Sequence, residues 1–435
     1  MNIFLLSLGC AKNQVDSEIL AGILESGGHV LVTDSSCADG AIVNTCGFIA
    51  PAIEESVDAI LELEILKKSG KIRFLAVVGC LVNRYEKELG AELESVDFWA
   101  RAGEWESLAR FLGGHTSTES QLVLPGYNRF SRYLKISEGC NNRCSYCTIP
   151  MIRGPLASRP LSVIIENAER LVLAGAREIC LVGQDLTSYG NDISPSFSLC
   201  GLIESLEEHF RGEDLWFRLL YLHPARVDEK LVEKVASSDL FLNYLDVPVQ
   251  HIEERILNSM NRGGLDRKKI NSIFSLARSA DPDFALRTTF MVGYPGETEK
   301  EFNSLLDFIS EAEIDRVGVF PYYPEEGTPA ALMDGQVPED IKQERVDRIT
   351  LLQEDVSLER QRRFEGRTLK VLVETGDSSE GFAEGRSYRE APEVDGVVEI
   401  RSGPLPEPGD FVHVRITEAM EHDLIGEVAS SFEPR

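Results

Sequence analysis

Residues 140 to 147 read CNNRCSYC, three cysteines spaced C-x3-C-x2-C. Cysteine thiolates are the ligands of iron–sulfur clusters and of structural zinc, and a closed site normally has four ligands. A set of three borrows a fourth ligand or leaves one metal position open for chemistry. Zinc patterns add a second C-x2-C pair or two histidines at close spacing, and the chain has neither. A second set is spread along the sequence: Cys10 follows NIFLLSLG, Cys46 follows AIVNT and Cys80 follows FLAVVG. Each stands at the carboxyl end of a predicted strand and ahead of a predicted helix. In a parallel sheet those ends share one edge, where ligands bind, so the three would meet in space. The neighbouring helix N-termini favour negative charge. Cys37, Cys180 and Cys200 have no such placement and read as structural or surface cysteines.

The elements that must position these thiols follow from apolar periodicity. Residues 1 to 120 alternate the strands NIFLLSLG, AIVNTCG and FLAVVGCL with the helical stretches DSEILAGILES, PAIEESVDAILELEILKK and RYEKELGAEL. That alternation predicts a parallel sheet with helices on its faces, an α/β domain. Residues 113–127, GGHTSTESQLVLPGY, are polar and turn-rich and read as a linker. From 130 to 320 come six more strands, RYLKIS, EICLVG, LWFRLLYL, FLNYLDVPV, ALRTTFMVG and RVGVFPYY, separated by helical stretches. A closed (β/α)8 barrel needs eight units, so a partial (β/α)6 barrel is expected. Residues 338–364 favour a long charged helix. After Gly366, TLKVLVETG, DGVVEI and DFVHVRITEAM read as short strands of a small all-β barrel, OB-like in size.

The chain has 435 residues, too many for one core. No apolar run approaches a membrane span, and the N-terminal apolar stretch lacks a basic region, so a buried strand is expected rather than a signal peptide. An odd count of nine cysteines suits metal binding in a reducing, cytoplasmic setting better than disulfides. The net charge of −28 repels nucleic-acid phosphate unless a basic patch exists, and attracts basic partners.

C-x3-C-x2-C after the first strand of a partial barrel resembles the radical S-adenosylmethionine (SAM) superfamily. The resemblance implies that Cys140, Cys144 and Cys147 hold three irons of a 4Fe-4S cluster, and that the amino and carboxylate groups of SAM take the fourth. Electron transfer then cleaves SAM to a 5′-deoxyadenosyl radical. It further implies that VGQD (182–185) meets the SAM amino group through Gln184 and Asp185. The Gly293 turn in FMVGYPGET would let backbone approach the adenine end. SLGCAKNQVDSE, NTCGFIAPAIEES and VVGCL resemble the N-terminal motifs of the methylthiotransferases. That likeness covers essentially the whole chain, as a methylthiotransferase N-terminal domain (1–120), a radical SAM core (126–364) and a TRAM domain (366–435). In that family Cys10, Cys46 and Cys80 would bind a second 4Fe-4S cluster whose open iron carries the sulfur to be inserted. One SAM would methylate that sulfur and another would supply the radical. No protein side chain is assigned as general base.

The family has two main classes, one acting on a tRNA adenosine, the other on the β-carbon of an aspartate in small-subunit ribosomal protein number twelve. NTCGFIAPAIEES, RGPLASRP and SLGCAKNQVDSE are similar to the second, RimO-type class, with Ala11 and Gln14 departing from its usual Pro and Leu. Residues 366–435 carry 15 Asp and Glu against 7 Lys and Arg, which suits a basic ribosomal protein better than RNA. Arg386 and Arg389 read as a solvated turn, or as the remnant of a basic patch. The expected partners are that protein, an electron donor and a sulfur donor, with no membrane and no tRNA substrate. The alternatives are the tRNA class and, from another class altogether, a two-cluster electron carrier. The carrier would need neither the partial barrel nor the SAM motif. An RNA-binding protein would account only for the C-terminal domain.

Overall fold

The computed structural model describes residues 1–113, 121–124, 126–194, 196–377, 381–401 and 405–429. The expected linker 113–127 lies largely outside the described residues. The N-terminal sheet has the strands β1 (Asn2–Ser7), β2 (Val30–Val32), β3 (Gly40–Thr45), β4 (Phe74–Gly79) and β5 (Phe98–Arg101). Their order is β2-β1-β3-β4-β5, and every pairing is parallel. Helices α1 (Ala11–Ser26), α2 (Ala50–Lys68), α3 (Cys80–Glu92) and α4 (Trp105–Phe111) follow β1, β3, β4 and β5. β3 and β4 are buried at every position, which is why AIVNT and FLAVVG read as unbroken apolar runs. β1 is only half-buried, less than its apolar sequence suggests. β2 and β5 carry too few apolar residues to register as strands from periodicity.

The register fixes the chemistry-bearing edge. Thr45 pairs with Gly79 and Ser7 with Asn44, so the residues that leave β1, β3 and β4 leave side by side.

The central domain opens with β6 (Ser131–Lys135) and a short antiparallel hairpin of β7 (Ser137–Glu138) and β8 (Ala157–Ser158). The hairpin encloses the CNNRCSYC loop. Then come β9 (Glu178–Val182), β10 (Trp216–Leu219), β11 (Tyr244–Asp246), β12 (Ala285–Val292) and β13 (Arg316–Pro321). They form two three-stranded parallel sheets, β10-β9-β6 and β11-β12-β13. A single parallel bridge between Phe217 and Phe241 joins them. Six major strands with an open seam make the expected partial barrel, and one apolar cluster from Leu134 to Ile349 packs those strands against the surrounding helices.

The helix Glu339–Arg362 then crosses β12 and β13, burying Lys342, Arg345, Ile349, Gln353 and Ser357 on one face. The C-terminal domain is a closed barrel of β14 (Thr368–Asp377), β15 (Phe382–Arg386), β16 (Val398–Ile400), β17 (Phe411–Ala419) and β18 (Leu424–Val428), in the order β14-β15-β16-β18-β17. Two of its five strands, FAEGR and LIGEV, are too short and glycine-bearing to stand out in sequence. No helix among the described residues is long and apolar enough to cross a membrane.

Arg386 and Arg389 overturn both expectations made for them. They are 2% and 1% exposed, and neither lies in a solvated turn nor offers a basic surface. Arg386 pairs with Glu178 on β9 and with Glu374, and Arg389 pairs with Asp315. Arg218 meets Glu178 at 2.7 Å and donates to the Tyr388 carbonyl at 2.8 Å. The small barrel is thus bolted to the amino ends of the central strands by buried ion pairs.

Candidate functional site

The three N-terminal cysteines meet because the backbone beside each is bare. Gly9 precedes Cys10 with φ +90°, and a Cβ there would stand 2.8 Å from the Cys46 Cβ. Gly79 precedes Cys80 with φ +103°, and its Cβ would stand 2.4 Å from the Asn44 Oδ1. Gly47 follows Cys46, and its Cβ would stand 2.8 Å from the Leu81 backbone. Glycine permits both the positive φ and the close approach. Gly47→Ala is expected to push the Cys46 and Cys80 segments apart, at about 1–3 kcal/mol. It should lower the iron retained after anaerobic reconstitution, whereas Gly90→Ala, whose Cβ has ordinary room, should not.

Cys10 caps α1, and Cys80 is the first residue of α3. Asn13 ties the set together: its side chain donates to the Leu8 carbonyl at 2.6 Å and the Asn44 carbonyl at 3.2 Å. Asn44 answers with bonds to the Asn13 carbonyl and the Ser17 hydroxyl. The three thiols interact electrostatically with one another. They face each other without converging on a point that one ion could occupy, and no three candidate ligands among the described residues do so. Three thiolates that each take their own metal atom are the donor set of a group wider than a single ion.

Their protonation is uneven. Burial pushes the Cys46 thiol up to about 11 and raises Cys80 as well. Cys10 reaches solvent on one side and lines a cavity of about 250 Å3, yet its thiol is crowded. Burial there would raise it, but Lys12, the Asn13 backbone and Arg153 outweigh that and hold it below its ordinary value. Metal binding would displace the remaining protons.

The second set lies on the loop between β7 and α5 (Ile149–Arg153). The Cys140 N–H donates to the Gly154 carbonyl at 3.1 Å and the Cys147 N–H to the Cys144 carbonyl at 3.1 Å. The Ser145 hydroxyl donates to the Ser259 carbonyl at 2.8 Å, and Asn261 to the Arg143 carbonyl at 2.6 Å. Arg262 donates to the Tyr146 hydroxyl at 3.3 Å and the Pro248 carbonyl at 2.7 Å, with the Cys144 sulfur 3.9 Å away. Burial lifts Cys147 to about 12 and raises Cys140.

The candidate SAM contacts separate under inspection. Gln184 donates to Glu138 at 2.7 Å, while its Oε1 is buried with no partner, an unused acceptor just past the carboxyl end of β9. Burial alone would raise Glu138, but Lys135 and Arg153 pull its carboxyl down to about 2, so it stays ionised there. Asp185 is already engaged, by Asn142 of the cysteine loop at 2.7 Å, by Ser188 at 2.8 Å, and by Thr187 and Arg226. It organises the loop. Gly293 has φ +72°, its N–H donates to Glu297, and a Cβ would strike the Lys342 Cγ. The bare face of that glycine meets Lys342.

Sequence reasoning missed the seam between the two sets. Arg153, six residues after Cys147, donates to the Cys80 sulfur at 3.0 and 3.2 Å and to Asn13 at 3.2 Å, and pairs with Asp16 at 2.6 Å. Glu18 meets Arg132 at 2.8 Å, and Asp16 also meets Lys135. Arg84 pairs with Glu325 at 2.9 Å. The polar residues in KNQVDSE were the available signal, since acids on a buried helix need partners from another domain.

Residues 2–101 match the Uncharacterized protein family UPF0004, residues 134–309 the Radical SAM superfamily and residues 366–429 the TRAM domain. The chain is 42% identical over 440 residues to ribosomal protein uS12 methylthiotransferase RimO of Carboxydothermus hydrogenoformans, covering 98% of this chain and 99% of that one. It is 43% identical to the protein of the same description in Syntrophotalea carbinolica, over 98% of this chain and 96% of the other. Among solved structures it resembles the radical S-adenosylmethionine methyltransferase TsrM from Kitasatospora setae. The TM-score is 0.56 at 16% identity, over 76% of this chain and 77% of that one. At that identity the likeness speaks to the fold alone.

Proposed function

Because the chain belongs to the RimO methylthiotransferases of the radical SAM superfamily, we propose that its two three-thiol sets work as a pair, across the seam bridged by Arg153, on an aspartate of ribosomal protein uS12. The protein is a radical SAM methylthiotransferase, and the group it inserts goes to the aspartate β-carbon. Cys140, Cys144 and Cys147 hold the 4Fe-4S cluster to which SAM binds. A second 4Fe-4S cluster on Cys10, Cys46 and Cys80 is our reading of the other set. The carrying observation is the contact to the Cys80 sulfur from Arg153, the last residue of the helix that follows the CNNRCSYC loop, which brings the two sites side by side.

When bound, these groups supply a carbon-centred radical able to take hydrogen from an unactivated carbon, and the sulfur to replace it. The chain's residues bind and orient. The Gln184 carbonyl oxygen, its amide held by ionised Glu138, would accept from the SAM ammonium. Asp185 fixes the cysteine loop through Asn142, and the Gly293 turn shapes the barrel end at the adenine side. Arg153 holds Cys80 toward the barrel and screens it from Asp16. No side chain is needed to take a proton in the hydrogen transfer. The chemistry requires an electron donor and a sulfur donor. A ribosomal substrate places the work in the cytoplasm.

The buried TRAM arginines support a protein substrate over tRNA, because the cations that would meet phosphate are spent on Glu178 and Asp315. The test is anaerobic reconstitution with reductant, sulfide and SAM, offering uS12 and unmodified tRNA separately. Mass spectrometry should show a methylthio gain on the uS12 aspartate and none on tRNA. A gain on tRNA alone would overturn the substrate. SAM cleavage with neither product would leave only the radical chemistry.

A further inference from the structure

Lys12 stands beside the Cys10 thiol, at the contact of the N-terminal domain with the barrel, and has no carboxylate of its own. It lies two residues past Cys10, in the first turn of α1. Its Nζ sits 3.4 Å over the ring of Tyr221, which follows β10 at the carboxyl end of the barrel strands. The Tyr221 backbone is left-handed, with φ +64°. Non-glycine residues hold that conformation only when their surroundings enforce it, as sites do. Here the Tyr221 N–H donates to Asp246 at 2.9 Å and its carbonyl accepts from Leu186 at 3.2 Å. The ring is therefore presented as a platform from the barrel to a cation of the N-terminal domain.

The nearby carboxylates are occupied. Asp246 is paired with Arg287 at 3.2 Å, and Asp185 with Arg226. Among the described residues Lys12 makes no salt bridge to a carboxylate; it rests on the Tyr221 ring, shares a side-chain hydrogen bond with Tyr221, and feels the Cys10 sulfur and the more distant Asp246. A half-buried ammonium held on an aromatic face, short of a carboxylate, is a receptor for one.

We infer that Lys12 is the recognition residue for the carboxylate of the target aspartate. The inference rests on the functional reading above. The hydrogen to be replaced is on the β-carbon, and the carboxylate carbon is bonded directly to it. A cation that holds the carboxylate therefore places the reacting carbon within one bond. Lys12 adjoins Cys10 on the side of sulfur delivery and Tyr221 on the barrel side, so an anion bound to it lies between the two chemistries. An adenine base has no anion to offer there, so the same contact selects substrate class.

The test compares full-length uS12 carrying aspartate with uS12 carrying asparagine at the target. Both are titrated anaerobically into the reconstituted enzyme with SAM and without reductant. The wild type should prefer the aspartate form by about 10-fold, the range of a charge-assisted contact. Lys12→Met should bind both forms alike, at the wild type's affinity for the asparagine form. Lys12→Arg should keep part of the preference. Iron content and circular dichroism report folding of each variant. Equal binding of the two forms by the wild type overturns the inference, and needs no variant to fold. So does a Lys12→Met enzyme that keeps the preference, or one whose loss falls on SAM binding instead. Failure of the functional reading shows up separately, as no methylthio gain on wild-type substrate once reductant is added.

Discussion

Replacing Cys10, Cys46 and Cys80 together by Ala is expected to remove about half of the iron bound after anaerobic reconstitution, about four ions per chain. It should abolish methylthio insertion while SAM is still cleaved to 5′-deoxyadenosine. The expectation follows from the separate placement of the two sets. The first lies at the edge of β1, β3 and β4, the second on the β7–α5 loop, and each is pinned by its own hydrogen bonds. The links between them survive the change: Arg153 can still pair with Asp16 and Glu138 when Cys80 is gone, and the Thr148 hydroxyl still donates to the Phe48 carbonyl at 3.2 Å. Replacing Cys140, Cys144 and Cys147 instead should stop SAM cleavage altogether. Iron per chain, with electron paramagnetic resonance of the reduced protein, checks the first outcome. Full iron retention in the Cys10 set variant would show that those thiols bind no cluster.

Glu178→Gln is expected to destabilise the protein by about 3 kcal/mol and to loosen the C-terminal barrel. Glu178 is fully buried and faces Arg218 and Arg386. Burial would raise its carboxyl pKa, but Arg386 and Arg218 overcome that and hold it at about 2, from an ordinary 4.5. A depressed carboxyl contributes stability that is fully present above the unfolded value and is lost as pH falls through the folded one. The gap in urea midpoint between wild type and Glu178→Gln should therefore be constant near neutrality and narrow between about pH 4.5 and 2. Proteolysis between the helix ending at Arg362 and β14 should quicken in the variant, since Arg386 then lacks a full countercharge. A gap that does not change with acid would show that Glu178 is not ionised in the fold.

The sequence by itself singled out the residues proposed to carry the chemistry. Thiol spacing is local for CNNRCSYC, and strand-end position is local for Cys10, Cys46 and Cys80. Apolar runs such as FLAVVG and amphipathic stretches mark strand and helix within a few residues, so the α/β domain, the six-strand barrel and the existence of a third, all-β domain were legible. The short strands Val30–Val32, Phe98–Arg101 and Phe382–Arg386 were not, because their pairing comes from neighbours rather than from their own pattern. Gly293 read as a ligand approach, and only the position of Lys342 shows what its bare face meets.

Tertiary structure alone decided which charges meet. Glu18 finds Arg132 across 114 residues, Arg153 finds Asp16 across 137, and Arg386 finds Glu178 across 208. A charge in a sequence has no period that names its partner, and a surface arginine and a buried one are spelled alike. Docking of the three domains desolvates these groups, and desolvation makes pairing obligatory. The same docking sets Lys12 over Tyr221 and Arg153 against Cys80.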